Sequence, residues 1–371
     1  MNKIAFILGS AFFALSLHAV RLQDYPNFDY EVLFTNPTCA TYYYDEPVKS
    51  NAGKLIEHKP VGAYCDYKDS RATSKRVDPP SPQTRLIEWI EDPSTTEVFF
   101  TYLSWSNSAV TRALCKARKE RNIKITAVID SGYVGNEKAA EVEACVPDLE
   151  EDEIRPFTIH YRGHTGTGQD EIKYAHNKLF MINPNSKTVG KMAFSSGNMS
   201  SGVILHHENW HFVTVDTNSY FFQSHLCLRD GVIDHGQRAT QYADFIQQCR
   251  RGLVDKGLEP ESDIQHFFVP GEGWQAGAVI ADSLKWSKNI GVAAHRFSFW
   301  RLQNGLKNAL KYGSNVRIIV DDDLYYLKDG AQLGDNMEFE FYNLQSRIEE
   351  GAKVRYLETN SDRHLLHHNK Y

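Results

Sequence analysis

Apolar runs recur twice along the chain in the same order. From Glu97 a continuous block, VFFTYL, leads to a stretch in which Val110, Ala113, Leu114 and Ala117 lie at helical spacing. A second block, ITAVID, closes this stretch at Asp130. From Asn289 the order repeats: NIGVAA, then Leu302, Leu306, Ala309 and Leu310 at helical spacing, then VRIIVD ending on Asp321. Each opening block ends near a serine and an aromatic residue, Ser104-Trp105 and Ser298-Phe299-Trp300. A buried apolar run, an amphipathic helix and a second buried run predict a strand-helix-strand unit in each place. The fold class expected is therefore α/β, with duplicated βαβ-containing repeats in a mixed sheet.

The periodicity then shortens. KYAHNKLFMIN, the polar turn PNSKT and VGKMAF predict a hairpin, and HHENWHFVTV predicts a further strand. Residues two apart on a strand share a face, so His176 and Lys178 are expected side by side, with Phe180 continuing the row. The segment SSGNMSSG between the strands is a turn that sets polar groups at a strand end. The chain closes on LLHHNKY, a second His-x-Lys at His368 and Lys370. From Asp130 to His176 is 46 residues and from Asp321 to His368 is 47, so the tail occupies the place the repeat assigns to it.

These patterns divide the chain at 1–19, 20–90, 91–229, 230–285 and 286–371. The first piece, with Lys3, an apolar run from Ile4 to Leu17 and small residues near Ala19, has the layout of a secretory signal peptide. An export route fits the even number of cysteines, for which sequence order suggests the pairs Cys39–Cys65, Cys115–Cys145 and Cys227–Cys249. Residues 20–90 read as an N-terminal extension, 91–229 as the first repeat, 230–285 as a connecting segment and 286–371 as the second repeat. Formal charge is −6, or near −7 without Lys3, which gives no general attraction to a nucleic-acid backbone.

An imidazole and an ammonium on one face suit a phosphodiester. The imidazole can attack phosphorus, the ammonium can neutralise the non-bridging oxygens, and Ser196 and Asn198 can donate further hydrogen bonds to them. A second imidazole is needed to protonate the departing alkoxide, and His368 with Lys370 offers one. Two other clusters remain open: Asp321-Asp322-Asp323 as an Mg²⁺ site, and His206, His207 and His211 as zinc-compatible residue types without a three-ligand spacing. His160 and His164 lie in a predicted loop near the site. No nucleophile elbow, phosphate-binding glycine loop or dinucleotide fingerprint occurs.

On these residues the chain resembles the phospholipase D superfamily, whose mark is His-x-Lys, four residues, Asp, then Gly-Ser-x-Asn, in two copies. His176 and Lys178 match its start, Asn183 stands in place of the aspartate, and Ser195, Ser196 and Asn198 match the second block with Ser for Gly. Glu208 falls where the family often carries an acidic orienting residue. In the second copy His368 and Lys370 match before the chain ends, so the second repeat is expected to be incomplete, with an open sheet edge and a fraying terminus. The resemblance implies a pseudo-twofold site between repeats, no metal or other cofactor, and a phosphohistidine formed on His176 with His368 as acid and base. The substrate it suggests first is a phospholipid head-group ester met by peripheral membrane contact, in the periplasm or outside the cell. The alternatives are a metal-independent endonuclease acting on nucleic acid, or a truncated, inactive relative. No dedicated protein partner is implied.

Overall fold

The structure is a computed structural model of the 371-residue chain. It describes residues 28–35, 46–49, 51–59, 81–145, 157–163, 166, 168–187, 189–200, 202–329, 337–357 and 366–370. The expected signal peptide, Cys39 and Cys65, His164 and Tyr371 lie outside the described residues.

In chain order the first half contains β1 (Phe28–Thr35), β2 (Glu46–Lys49), β3 (Leu55–Lys59), α1 (Pro82–Glu91), β4 (Glu97–Tyr102), α2 (Ser108–Arg121), β5 (Lys124–Asp130) and α3 (Glu137–Glu143). There follow β6 (Phe157–Arg162), β7 (Leu179–Ile182), β8 (Val189–Ser195), α4 (Gly202–Leu205), β9 (Glu208–Asp216), α5 (Tyr220–His235) and α6 (Ala239–Asp255). The remainder is α7 (Gly273–Lys285), β10 (Asn289–Ala294), α8 (Trp300–Lys311), β11 (Asn315–Asp321), α9 (Asp323–Tyr326), α10 (Glu338–Glu349) and β12 (Lys353–Leu357).

Seven strands form one sheet in the order β1-β9-β8-β7-β4-β5-β6. Helical crossovers make β4, β5 and β6 parallel, whereas the tight β7–β8 hairpin and its neighbours are antiparallel. Alternation along the strands fills both faces. Phe100 and Phe180 face α1 and α2, and Phe99 and Met181 face α5 and α6. All four helical positions read from the first repeat are buried on α2. Phe100 stacks between Trp105, 4.0 Å away, and Phe180, 6.0 Å away. Truncating such a ring to alanine costs about 3–5 kcal/mol.

The second sheet is parallel, in the order β10-β11-β12, over a core of its own that takes in Leu306, Phe341 and Leu344. Its β10-β11-β12 order, with α8 between the first two strands, matches the β4-β5-β6 order with α2 between its first two.

Two expected boundaries fall inside helices. The 20–90 segment is no appendage: β1 pairs with β9 along all eight residues, and Leu86 and Ile90 of α1 are fully buried in the first core. The boundary at 229/230 falls inside α5, whose apolar face packs on the sheet together with α6. The 230–285 connection also holds α7. Disulfides join Cys115 to Cys145 and Cys227 to Cys249, pairing α2 with the end of α3 and α5 with α6.

Candidate active site

Each strand-helix-strand unit ends its second strand on a fully buried aspartate that holds the start of a His-x-Lys segment. Asp130 accepts the backbone N–H of Ala175 at 2.7 Å and of Gly132 at 2.9 Å. Asp321 accepts those of His367 at 2.6 Å and Asp323 at 3.0 Å. Gly163 makes the first of these arrangements possible: its φ is +78°, and a Cβ there would lie 2.6 Å from the Asp130 carboxylate and 2.7 Å from the Ala175 nitrogen.

Residues 176–178 are an irregular approach to β7 rather than part of it. The lysine nonetheless folds back on its histidine as the spacing predicts. The Lys178 ammonium donates to His176 Nε2 at 3.0 Å and to the His176 carbonyl at 3.2 Å. Lys370 makes the matching contact with the His368 carbonyl at 3.0 Å.

The expected fraying of the second motif is not found. Residues 366–370 lie against the start of β9, where His207 N–H donates to the Leu366 carbonyl and His368 N–H to the His207 carbonyl, at 2.8 and 2.9 Å. Asn209 Oδ1 accepts the Lys370 N–H at 3.1 Å, and Lys370 bridges to Ala294 at the end of β10. Four anchors over five residues fix the segment without a regular strand.

Glu208 is the hub between the halves. Its carboxylate accepts the Nδ1–H of His368 at 3.0 and 3.1 Å, Ser196 Oγ–H at 2.6 Å, and lies 3.4 Å from His206 Nδ1. A Cβ on Gly197 would come within 2.8 Å of that carboxyl carbon, so only glycine admits the approach. Burial works to raise the Glu208 pKa, but hydrogen bonds from His206, His368 and Ser196 outweigh it and hold the group at about 2. The bond to Nδ1 fixes the His368 tautomer and leaves Nε2 for proton exchange.

His176 opens to solvent yet has protein on most sides. Burial first, then the charges of Lys178, Lys370 and His368, lower its pKa to about 4. Burial and the Lys370 charge bring Lys178 to about 7, and burial brings Lys370 to about 8, each opposed by Glu208. Burial lowers His368 below its ordinary value while Glu208 resists. The site thus holds a neutral imidazole, a carboxylate-bound imidazole and two crowded ammonium groups that an anion would relieve. Such a set can attack, neutralise and protonate a phosphodiester.

Two assignments change. Asn183 lies beyond the far end of β7, where its Oδ1 accepts from the N–H groups of Thr96 and Glu97 at 2.8 and 3.0 Å and its Nδ2 donates to Ser94. With φ +49°, it closes the hairpin turn, and the length of β7 separates it from His176. Ser196 commits its hydroxyl proton to Glu208 and accepts the Asn209 N–H at 3.0 Å, so it orients the carboxylate rather than donating to substrate. Asn198 has a buried Oδ1 without a hydrogen-bond partner among the described residues.

His206 and His207, just before β9, and His211 within it do not converge on a metal: His206 meets Glu208, His207 faces the His367 ring, and His211 meets Tyr30 and Asn209. His160 is a half-buried residue of β6, not of a loop. Among the described residues, His295, Asp321 and Asp323 bring ligand atoms within 4.8 Å of one another, but both Asp321 oxygens already accept backbone N–H groups. The sequence reading missed Asn209, Gly163 and His295, whose ring lies 4.9 Å from that of His368. Asp130 and Asp321 were visible only as the landmarks from which spacing was measured.

No family model and no curated protein matches the chain. Solved structures with which the chain shows similarity include phosphatidylserine synthase of Haemophilus influenzae, at 15% identity over 78% of this chain and 72% of that one, TM-score 0.45. They also include Nuc of Salmonella typhimurium, described as a phospholipase D family member, at 15% identity over 42% and 88%, TM-score 0.30. Polyphosphate kinase of Porphyromonas gingivalis matches at 12% identity over 64% of this chain, TM-score 0.38, and the chain spans 35% of that protein's length.

Proposed function

We propose that the protein is an exported phosphodiesterase of phospholipase D type, working through a phosphohistidine in a pseudo-twofold site between two duplicated repeats. The observation that carries this reading is the Glu208–His368 contact, which joins the second His-x-Lys to β9, in the same sheet as β7, into which the first His-x-Lys leads. In the first step the Lys178 ammonium turns from His176 Nε2 to a non-bridging oxygen. The freed Nε2 lone pair attacks phosphorus, a P–N bond forms and the bond to the leaving oxygen breaks. His368 enters this step as the imidazolium, gives its Nε2 proton to that oxygen and keeps its Nδ1–H on Glu208. In the second step neutral His368 takes a proton from water, the water oxygen attacks phosphorus, and the P–N bond breaks to release a phosphomonoester and His176. Lys178 and Lys370 balance the charge on the non-bridging oxygens in both steps. The disulfides and the leader-like Met1–Ala19 support an oxidising compartment.

The phospholipid head-group ester named first from the sequence and the nucleic-acid diester share the group on which these residues act. The test is to quench turnover of a ³²P-labelled diester in alkali, with EDTA present. Label that stays on wild-type protein and is absent from His176→Ala is the expected result. Equal labelling of both proteins, or turnover that EDTA abolishes, overturns the proposal.

A further inference from the structure

A chamber of about 500 Å³ opens beside the first His-x-Lys, with Lys178 in its lining. That size lies within the range of small-molecule sites. Its wall is a run of rings in nearly parallel planes. Tyr30 stacks on His211 at 19°, His211 on Phe194 at 16°, and Phe194 on His225 at 18°. Residues 263–268, between α6 and α7, form the roof.

Among the described residues Lys178 is the sole lysine or arginine of the lining. The lining histidines add no positive charge near neutral pH, because burial lowers His211 and His225 to about 4 and His266 to about 2. A phosphate therefore belongs beside Lys178. The Asp263 carboxylate in the same lining keeps a second anion out of the interior while offering an acceptor to the N–H of a heterocycle. The interior is not purely apolar. His266 Nε2 is buried without a hydrogen-bond partner among the described residues, and Gln265 lies next to it in the roof. Against an acyl chain the buried His266 nitrogen would stay unsatisfied, whereas the edge of a heterocycle carries donors and acceptors; Gln265 is exposed and bonds water in either case.

We propose that the chamber is a stacking subsite for a flat aromatic ring carried by the phosphodiester, with a nucleobase as the ring that fits it. This rests on the phosphodiesterase reading and deepens it, making a nucleoside diester the preferred substrate over a phospholipid.

The experiment compares thymidylyl-(3′→5′)-thymidine, dihexanoylphosphatidylcholine and the ring-free glycerophosphocholine on wild type, His266→Ala and Ile264→Trp. Ile264 is a half-buried roof residue that a larger side chain would push into the chamber. Thermal midpoints check that both variants fold. The dinucleotide KM should rise roughly tenfold in each variant with kcat nearly unchanged, while glycerophosphocholine kinetics stay the same. Equal effects on all substrates overturn the inference, as does a raised KM for the phosphatidylcholine alone. Binding of free thymidine to His176→Ala, read by saturation-transfer NMR, separates this inference from the reading beneath it. Thymidine bound there and lost in Ile264→Trp supports the subsite even if no diester is turned over. No thymidine binding overturns it even if the phosphohistidine forms.

Discussion

The Glu208 carboxylate receives the Nδ1–H of His368 at 3.0 Å although 160 positions separate the two. Its negative charge favours the protonated imidazole, so removing it lowers the His368 pKa. Glu208→Gln should move the falling limb of kcat/KM to lower pH by about one unit or more and reduce kcat about 100-fold at the wild-type optimum. An unmoved limb would show that His368 is not the proton carrier.

Lys178 acts on His176 in the opposite sense. Burial is the larger cause of the low His176 pKa of about 4, and the Lys178 charge is the next. Lys178→Met should therefore raise the His176 pKa, seen as an NMR ring titration shifted towards neutral pH. Turnover should fall about 100-fold or more through loss of the phosphate cation.

Gly197→Ala tests position without touching a charge. Its Cβ would press on the Glu208 carboxyl group, displacing it from Ser196 and His368. Misplacement by about 1 Å costs on the order of 100-fold in kcat. The expected result is that loss with a near-UV circular dichroism spectrum unchanged.

Stability should fall as the solution becomes acidic. His211 and His225 titrate at about 4 and His367 at about 3 in the folded chain, all lowered first by burial from an ordinary 6.5. Between pH 6.5 and these values the unfolded chain binds more protons, so stability is full above the unfolded pKa and is lost as pH falls towards the folded ones. Thermal midpoints measured from pH 7 to pH 5 should drop steadily, and less so in His225→Phe.

Opening the Cys227–Cys249 link frees α5 from α6 in the unfolded chain as well as the folded one. The paired alanine variant should lose about 3 kcal/mol in urea unfolding, with the active-site residues unaltered. A loss of turnover at temperatures where the variant stays folded would mean that α5 does more than support the sheet.

The α/β class, both strand-helix-strand units, the β7–β8 hairpin and the two described disulfide pairs were legible because each depends on local periodicity or sequence order. Residue chemistry and spacing likewise singled out His176, Lys178, His368 and Lys370, and the matched intervals from Asp130 and Asp321 gave their pairing. What the sequence alone could not decide is which oxygen meets which proton. Asn183 matched a motif position, yet β7 carries it to the far end of the sheet, because an extended strand separates residues that lie close in sequence. Asn209 carried no signal at all, and its role comes from the residue opposite it across a long-range contact. Local pattern is a property of neighbours along the chain, and a site is a property of neighbours in space. The sequence supplied the groups, and tertiary packing put Glu208 between them.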